Sequence, residues 1–157
     1  MRRLAFPLFV ILLLVVTPAC TAKKPVEQSY WKSKNILSIV RDMTKSYEQK
    51  DLDAFLSHVS NTYTDRNVFE KSLAGVFAKY ETIHFTIQYT KMIVVLEEKG
   101  RIRTTFTWNA EWMAANGNAL KDGSRVTLVF EPGDFKLLAV EGKNPYLALP
   151  GATPGKQ

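Results

Sequence analysis

The chain has 157 residues, about one domain's worth, of which 46% are hydrophobic, 11% aromatic and 23% charged, so intrinsic disorder is not the default reading. The formal charge of +6 comes from 21 basic and 15 acidic residues that are interspersed, which argues against the basic, aromatic-interleaved stripe of a nucleic-acid binder. Cys20 is the one cysteine, so an intrachain disulfide and a Cys/His metal cluster are both excluded; neither metal nor cofactor is expected.

Arg2 and Arg3 open the chain, and Leu4 to Val16 form an apolar run. That run is too short to span a bilayer as a helix, which takes about 20 residues, and it fits the apolar region of a secretory signal. Thr17-Pro18-Ala19-Cys20 follows directly. This tetrad resembles the lipobox of bacterial lipoproteins. The resemblance implies cleavage after Ala19, leaving Cys20 as an acylated first residue that anchors the chain in a membrane. Thr21 in place of aspartate then implies outer-membrane sorting, facing the periplasm, in a Gram-negative host. Loss of Arg2 and Arg3 with the signal leaves 19 basic against 15 acidic residues, a mild +4.

The expected organisation is a signal peptide over residues 1–19, a polar tether over 20–33, a domain over 34–146 and a flexible tail over 147–157. Within the domain, Ile36, Val40, Met43 and Tyr47 recur at helical spacing, with Ile39 beside them. Asp51 is placed to cap a short second helix carrying Leu52, Phe55, Leu56 and Val59. Thr64-Asp65 offers a cap for a third, whose stripe is Phe69, Leu73, Val76, Phe77 and Tyr80.

The period then changes to two. Ile83, Phe85, Ile87 and Tyr89 alternate with polar residues, as in a half-buried strand. Met92 to Leu96 is apolar on both faces and predicts a covered strand. Ile102, Thr104, Phe106, Trp108, Ala110 and Trp112 share one face of a long strand, with Arg101, Arg103, Thr105, Thr107, Asn109 and Glu111 opposite. Asn116-Gly117 and Asp122-Gly123 are hairpin signals. Val126, Leu128 and Phe130 alternate next. Pro132-Gly133-Asp134 turns the chain into a last strand over Phe135 to Val140. Helices first and tightly connected strands afterwards predict an α+β fold with three helices and an antiparallel sheet.

This order of elements resembles the nuclear transport factor two-like superfamily, also called SnoaL-like or cone-fold proteins. The points of similarity are Tyr47 to Phe55, the closing stretch Val129 to Leu138, and the ending Gly142-Lys143-Asn144-Pro145-Tyr146. The resemblance implies a bent sheet wrapped around helices, with a cavity at the wide end of the cone. Its members include isomerases, cyclases and dehydratases as well as binding and assembly domains, so the fold alone does not choose.

Enzymes of this shape place an Asp, Glu or His inside the cavity, where burial moves the pKa toward neutrality. Strand parity puts His84 and Glu111 away from the apolar face, and His58 falls near the end of the second helix. No catalytic residue is therefore assigned. No phosphate loop, nucleophile elbow or zinc-protease motif is present. Phe69, Phe77, Tyr80, Phe106, Trp108, Trp112 and Phe130 remain as aromatic residues that either fill the core or line a cavity for an apolar ligand. The expected function is a membrane-tethered lipoprotein whose domain binds a small apolar ligand or a protein. The alternatives are a small isomerase or dehydratase using His84, His58 or Glu111, and a homodimerising structural module.

Overall fold

The computed structural model describes residues 24–97 and 100–147, with side chains from residue 31 onward. Cys20, the signal segment and residues 148–157 lie outside the described residues. Helix α1 spans Lys24–Glu48, α2 Leu52–Ser57 and α3 Arg66–Lys79; the strands are β1 Thr82–Ile87, β2 Ile93–Leu96, β3 Ile102–Met113, β4 Ala119–Phe130 and β5 Leu137–Gly142. A 3-10 turn, Tyr89–Lys91, separates β1 from β2. Three helices packed on one antiparallel sheet give the α+β class that the change of period implies.

α1 begins at Lys24 and so includes residues 24–33, which the sequence reads as tether. The stretch contains no glycine, and Pro25 falls in the first turn, where its missing N–H would have no carbonyl to reach. Trp31 is half exposed, consistent with a part of α1 that lies off the core. The buried stripe starts at Ile36 and continues through Val40, Met43 and Tyr47, all without solvent contact. α1 stops at Lys50, whose φ is +56°. The Asp51 N–H reaches the Ser46 carbonyl and the Lys50 N–H reaches that of Tyr47, which together close a Schellman turn.

Asp51 then caps α2: its carboxylate accepts from the Ala54 N–H at 3.0 Å. Asp65 behaves differently. It sits before α3 in the left-handed region, φ 54° and ψ 38°, and makes no side-chain capping bond. In that backbone state its carboxylate is not aimed at the helix amides. Arg66 instead ties the α2–α3 connection, donating from one guanidinium nitrogen to the Val59 and Ser60 carbonyls.

β3 is the centre of the sheet. Along one edge it pairs with β4 from end to end; along the other it pairs first with β2 and then with β1. β5 closes the far side against β4. The inner face of β3 is the one parity predicts, with Ile102, Thr104, Phe106, Trp108, Ala110 and Trp112 all buried. Each fully buried large apolar side chain contributes about 1.5–3 kcal/mol of transfer free energy, so this face and the α1 stripe carry much of the fold.

Four further features depart from the sequence expectations. Tyr89 leaves the strand pattern and enters the 3-10 turn. β2 is not covered: Ile93 and Val95 are about half exposed and Leu96 nearly so. Asp122-Gly123 does not turn the chain but lies inside β4, paired with Ala110 and Asn109. A Cβ at Gly123 would stand 2.4 Å from the Asn109 amide oxygen and 2.9 Å from the Trp108 carbonyl oxygen, so glycine there answers to close packing. The last strand starts at Leu137, because Phe135 still occupies the turn with φ 52°.

Candidate functional site

The aromatic residues converge on one interior cluster. Phe69 comes from α3, Tyr80 from its C-terminal cap, Phe106, Trp108 and Trp112 from β3, and Phe130 from β4; all six are buried, while Phe77 is partly buried against them. Four further rings belong to the same cluster: Tyr47, Phe55, Phe85 and Tyr146. Phe85 stacks on Trp108 at 5.8 Å and on Tyr146 at 5.6 Å between ring centres. Tyr146, placed by sequence at the edge of the tail, is thus fully buried in the centre of the core. Its aromatic neighbours Tyr47, Phe55 and Phe85 come from distant elements, so no hydrophobic periodicity marks its burial.

Two hydrogen bonds organise this interior. The Trp112 indole N–H donates to the Tyr47 hydroxyl at 2.7 Å, and that hydroxyl donates to the Tyr146 carbonyl at 3.0 Å. Burial pushes the phenol groups of Tyr47 and Tyr146 well above the ordinary tyrosine range, so both stay protonated. Among the described residues, three buried polar atoms have no protein partner: Trp108 Nε1, the Tyr146 hydroxyl and Thr104 Oγ1. A buried donor left unpaired costs about 1–3 kcal/mol, and native structures leave few of them.

Among the described residues the buried polar side chains are Ser46, Ser60 and Thr104, none of them ionisable. His84 and Glu111 lie opposite each other across the β1–β3 ladder, on the outer face as parity predicts. Lys121 follows on β4 and pairs with Glu111 at 3.0 Å. These three residues line a hollow of about 420 Å³ together with Thr86, Asn109, Ala110 and Asp122. Most of its lining side chains are polar and lie on the outer face of the sheet, while Ala110 and Asp122 belong by register to the inner face.

Asp122 is the ionisable residue that the sequence reading misplaced. By register it belongs with Ala110 and the inner face, because the segment assigned to a turn is strand. Its carboxylate is mostly buried, accepts from the Gly123 N–H and is ion-paired with Lys143. A second hollow of about 340 Å³ sits beside the β3–β4 hairpin, lined by Lys79, Tyr80, Ala114, Asn116, Asn118, Ala119 and Leu120. Tyr80 is the one member of the aromatic set that lines either hollow.

His58 closes α2. Its carbonyl accepts from the Leu137 N–H at 2.7 Å, which joins α2 to the start of β5. Burial lowers its imidazole pKa below the usual 6.5, and Lys136 lowers it further against the opposing pull of Asp42. No group of three or more His, Cys, Asp or Glu side chains among the described residues could hold a metal ion. No described helix is long and apolar enough to cross a membrane.

No protein-family model matches the chain, and no curated protein matches its sequence. Solved structures do match in three dimensions. A nuclear transport factor 2-like superfamily protein from Salmonella enterica superposes with a TM-score of 0.59 at 11% identity, covering 82% of this chain and 99% of its own. A hexachlorocyclohexane dehydrochlorinase matches with a TM-score of 0.56 at 11% identity, covering 83% and 99%. The association domain of CaMKII from C. elegans matches with a TM-score of 0.55 at 9% identity, covering 73% and 96%. The chain therefore carries the nuclear transport factor 2-like cone fold, an architecture found in a dehalogenating enzyme and in an association domain alike.

Proposed function

We propose that this chain is a cell-envelope lipoprotein, anchored through acyl chains on Cys20, whose cone-fold domain binds an apolar ligand or a protein and does not catalyse. In a Gram-negative host the domain would face the periplasm from the outer membrane. The anchoring half rests on the N-terminal sequence, where a basic start, a short apolar run and a small residue precede the cysteine. Labelled palmitate should enter the wild-type protein and be absent from Cys20→Ala; equal label on both would end that half.

The observation that carries the binding half is the pair of unpartnered donors in an otherwise apolar interior, Trp108 Nε1 and the Tyr146 hydroxyl. A largely apolar guest with one or two acceptor oxygens would satisfy them, and the surrounding rings would hold its body. Acid–base catalysis in such an interior would require a titratable side chain within reach of the guest. The inward-facing carboxylate, Asp122, already has Lys143 as its counter-ion. Native mass spectrometry of protein purified from its own host tests this directly. A retained small molecule, lost in Trp108→Phe, is the expected result; protein of bare polypeptide-plus-lipid mass under gentle conditions would refute it.

The enzymatic alternative has one specific observation in its favour: His84 and Glu111 face each other in the outer hollow. Turnover of a substrate abolished by His84→Ala would establish it. Assembly of copies is the third reading, supported at the level of the fold by the likeness to an association domain.

A further inference from the structure

The two strands that share one edge of β3 are finished differently. At β1 the edge is closed by α1: the Glu48 carboxylate accepts the Phe85 N–H at 2.8 Å. At β2 nothing comparable occurs among the described residues. Its sequence is Ile-Val-Val-Leu, it pairs on one side only, and Ile93, Val95 and Leu96 are 50%, 49% and 39% exposed. A flat apolar edge left open is a template for another strand, which natural proteins otherwise block.

The ladder shows which groups are free. The Glu97 N–H donates to the Arg101 carbonyl at 2.8 Å. In the same register Val95 faces Arg103 and Ile93 faces Thr105. Hydrogen-bonded pairs alternate along an antiparallel ladder, so the odd-numbered residues bond inward and the main-chain groups of Val94 and Leu96 point outward. Nothing among the described residues takes those outward N–H groups. The Met92 N–H is occupied by the Tyr89 carbonyl.

We propose that β2 pairs with β2 of a second copy of this chain, antiparallel and centred on Val94. This deepens the assembly reading above and rests on it. The segment Lys91-Met92-Ile93-Val94-Val95-Leu96-Glu97 is complementary to itself in that register. Val94 N–H donates to the carbonyl of the partner's Val94, and Leu96 N–H to that of the partner's Met92, each twice by symmetry. Ile93 lies against the partner's Val95 on the outer face, where both are now exposed. Lys91, the exposed last residue of the 3-10 turn, stands at the end of the pairing nearest the partner's Glu97, so opposite charges bracket the apolar centre at both ends. The register that matches the apolar residues is also the one that matches the free main-chain groups and the charges. A two-fold contact requires that coincidence, whereas an unrelated peptide would not.

Sedimentation of the full chain in detergent tests it, with melting temperature followed for every variant. Wild type is expected to dimerise. Lys91→Glu sets like charges face to face at both ends and should weaken the dimer about tenfold, with unchanged melting at low concentration. Glu97→Lys should weaken it as well, although that variant also loses the contact with Arg103. The double variant Lys91→Glu with Glu97→Lys restores both cross-chain pairs and should recover the dimer. A dimer indifferent to all three variants overturns this surface and leaves assembly standing. A monomer at every concentration overturns both.

Discussion

Trp112 and Tyr47 are joined by a buried hydrogen bond of 2.7 Å that fastens the C-terminal end of β3 to the last turn of α1. Because the Tyr47 hydroxyl in turn donates a hydrogen bond to the Tyr146 carbonyl, one phenol connects helix, sheet and the end of the domain. Tyr47→Phe removes both bonds and leaves an indole N–H and a carbonyl without partners. The expected loss is about 1–3 kcal/mol. Trp112→Phe alone leaves the bond to Tyr146 in place. In the double variant the orphaned indole is gone, so the two losses should sum to less than additive by about 1 kcal/mol. Denaturant unfolding of the four proteins measures this; strict additivity would mean that the bond does not couple the elements.

The same burial predicts an alkaline limit. Tyr47 and Tyr146 are held protonated well above their ordinary value of 10.0. Above pH 10 the unfolded chain releases those protons and the folded chain keeps them. Stability is therefore complete below that value and falls as the pH rises past it. Melting temperature should drop beyond pH 10, less steeply in Tyr47→Phe once its lower baseline is subtracted. A flat profile to pH 11 would contradict the burial.

On the acid side, His58 contributes a slope of the opposite sign. Its folded pKa lies below 6.5 because burial disfavours the imidazolium. Below pH 6.5 the unfolded chain takes up a proton that the folded chain refuses. The stability this group supports is present above that value, is lost as the pH falls toward the lowered folded value, and levels off below it. Asp42 and Lys136, the charged groups that act on the imidazole, oppose each other. His58→Gln should flatten the melting profile between pH 7.5 and 5, and an unchanged slope would assign the acid sensitivity elsewhere.

Parity made the inner face of β3 readable, because six alternating residues over one continuous strand leave one way to face a core. β2 was not readable in this way. Four consecutive aliphatic residues look the same whether a layer covers them or not, and only the topology leaves this strand on an edge. Asp122-Gly123 carries a true local turn preference that is overridden by its partner strand, where Asn109 occupies the space a side chain would need. That one override moved Asp122 from an assumed surface turn to the inner side of β4. The outer hollow was half readable: parity placed His84 and Glu111 on one face, but their union with Lys121 depends on the register of three strands.

Gly123 sits where any side chain would meet β3. Gly123→Ala puts a methyl 2.4 Å from the Asn109 amide oxygen, which can move, and 2.9 Å from the Trp108 carbonyl, which belongs to the β3 backbone. The expected cost is about 1–3 kcal/mol from overpacking. Adding Asn109→Ala removes the movable clash and should recover part of the loss, with the backbone contact retaining the rest. Full recovery would show that β3 yields at this point. No loss in the single variant would restore the turn that the sequence signal alone implies.

The two aspartates ahead of helices make the last contrast, since sequence treats them alike and structure does not. Asp51 holds the Ala54 N–H in extended backbone geometry, φ −85° and ψ 95°, so its carboxylate satisfies an amide that α2 cannot. Asp51→Ala should cost about 1 kcal/mol, the usual value of such a cap. Asp65 satisfies no amide with its side chain and sits at φ 54°, a conformation that disfavours most side chains by about 1–2 kcal/mol. Glycine removes that penalty and forfeits no capping bond, so Asp65→Gly should leave stability unchanged or raise it by up to about 1 kcal/mol. Chemical denaturation of the pair decides the matter by sign: a loss at position 65 equal to that at 51 would mean that Asp65 caps α3 in solution after all.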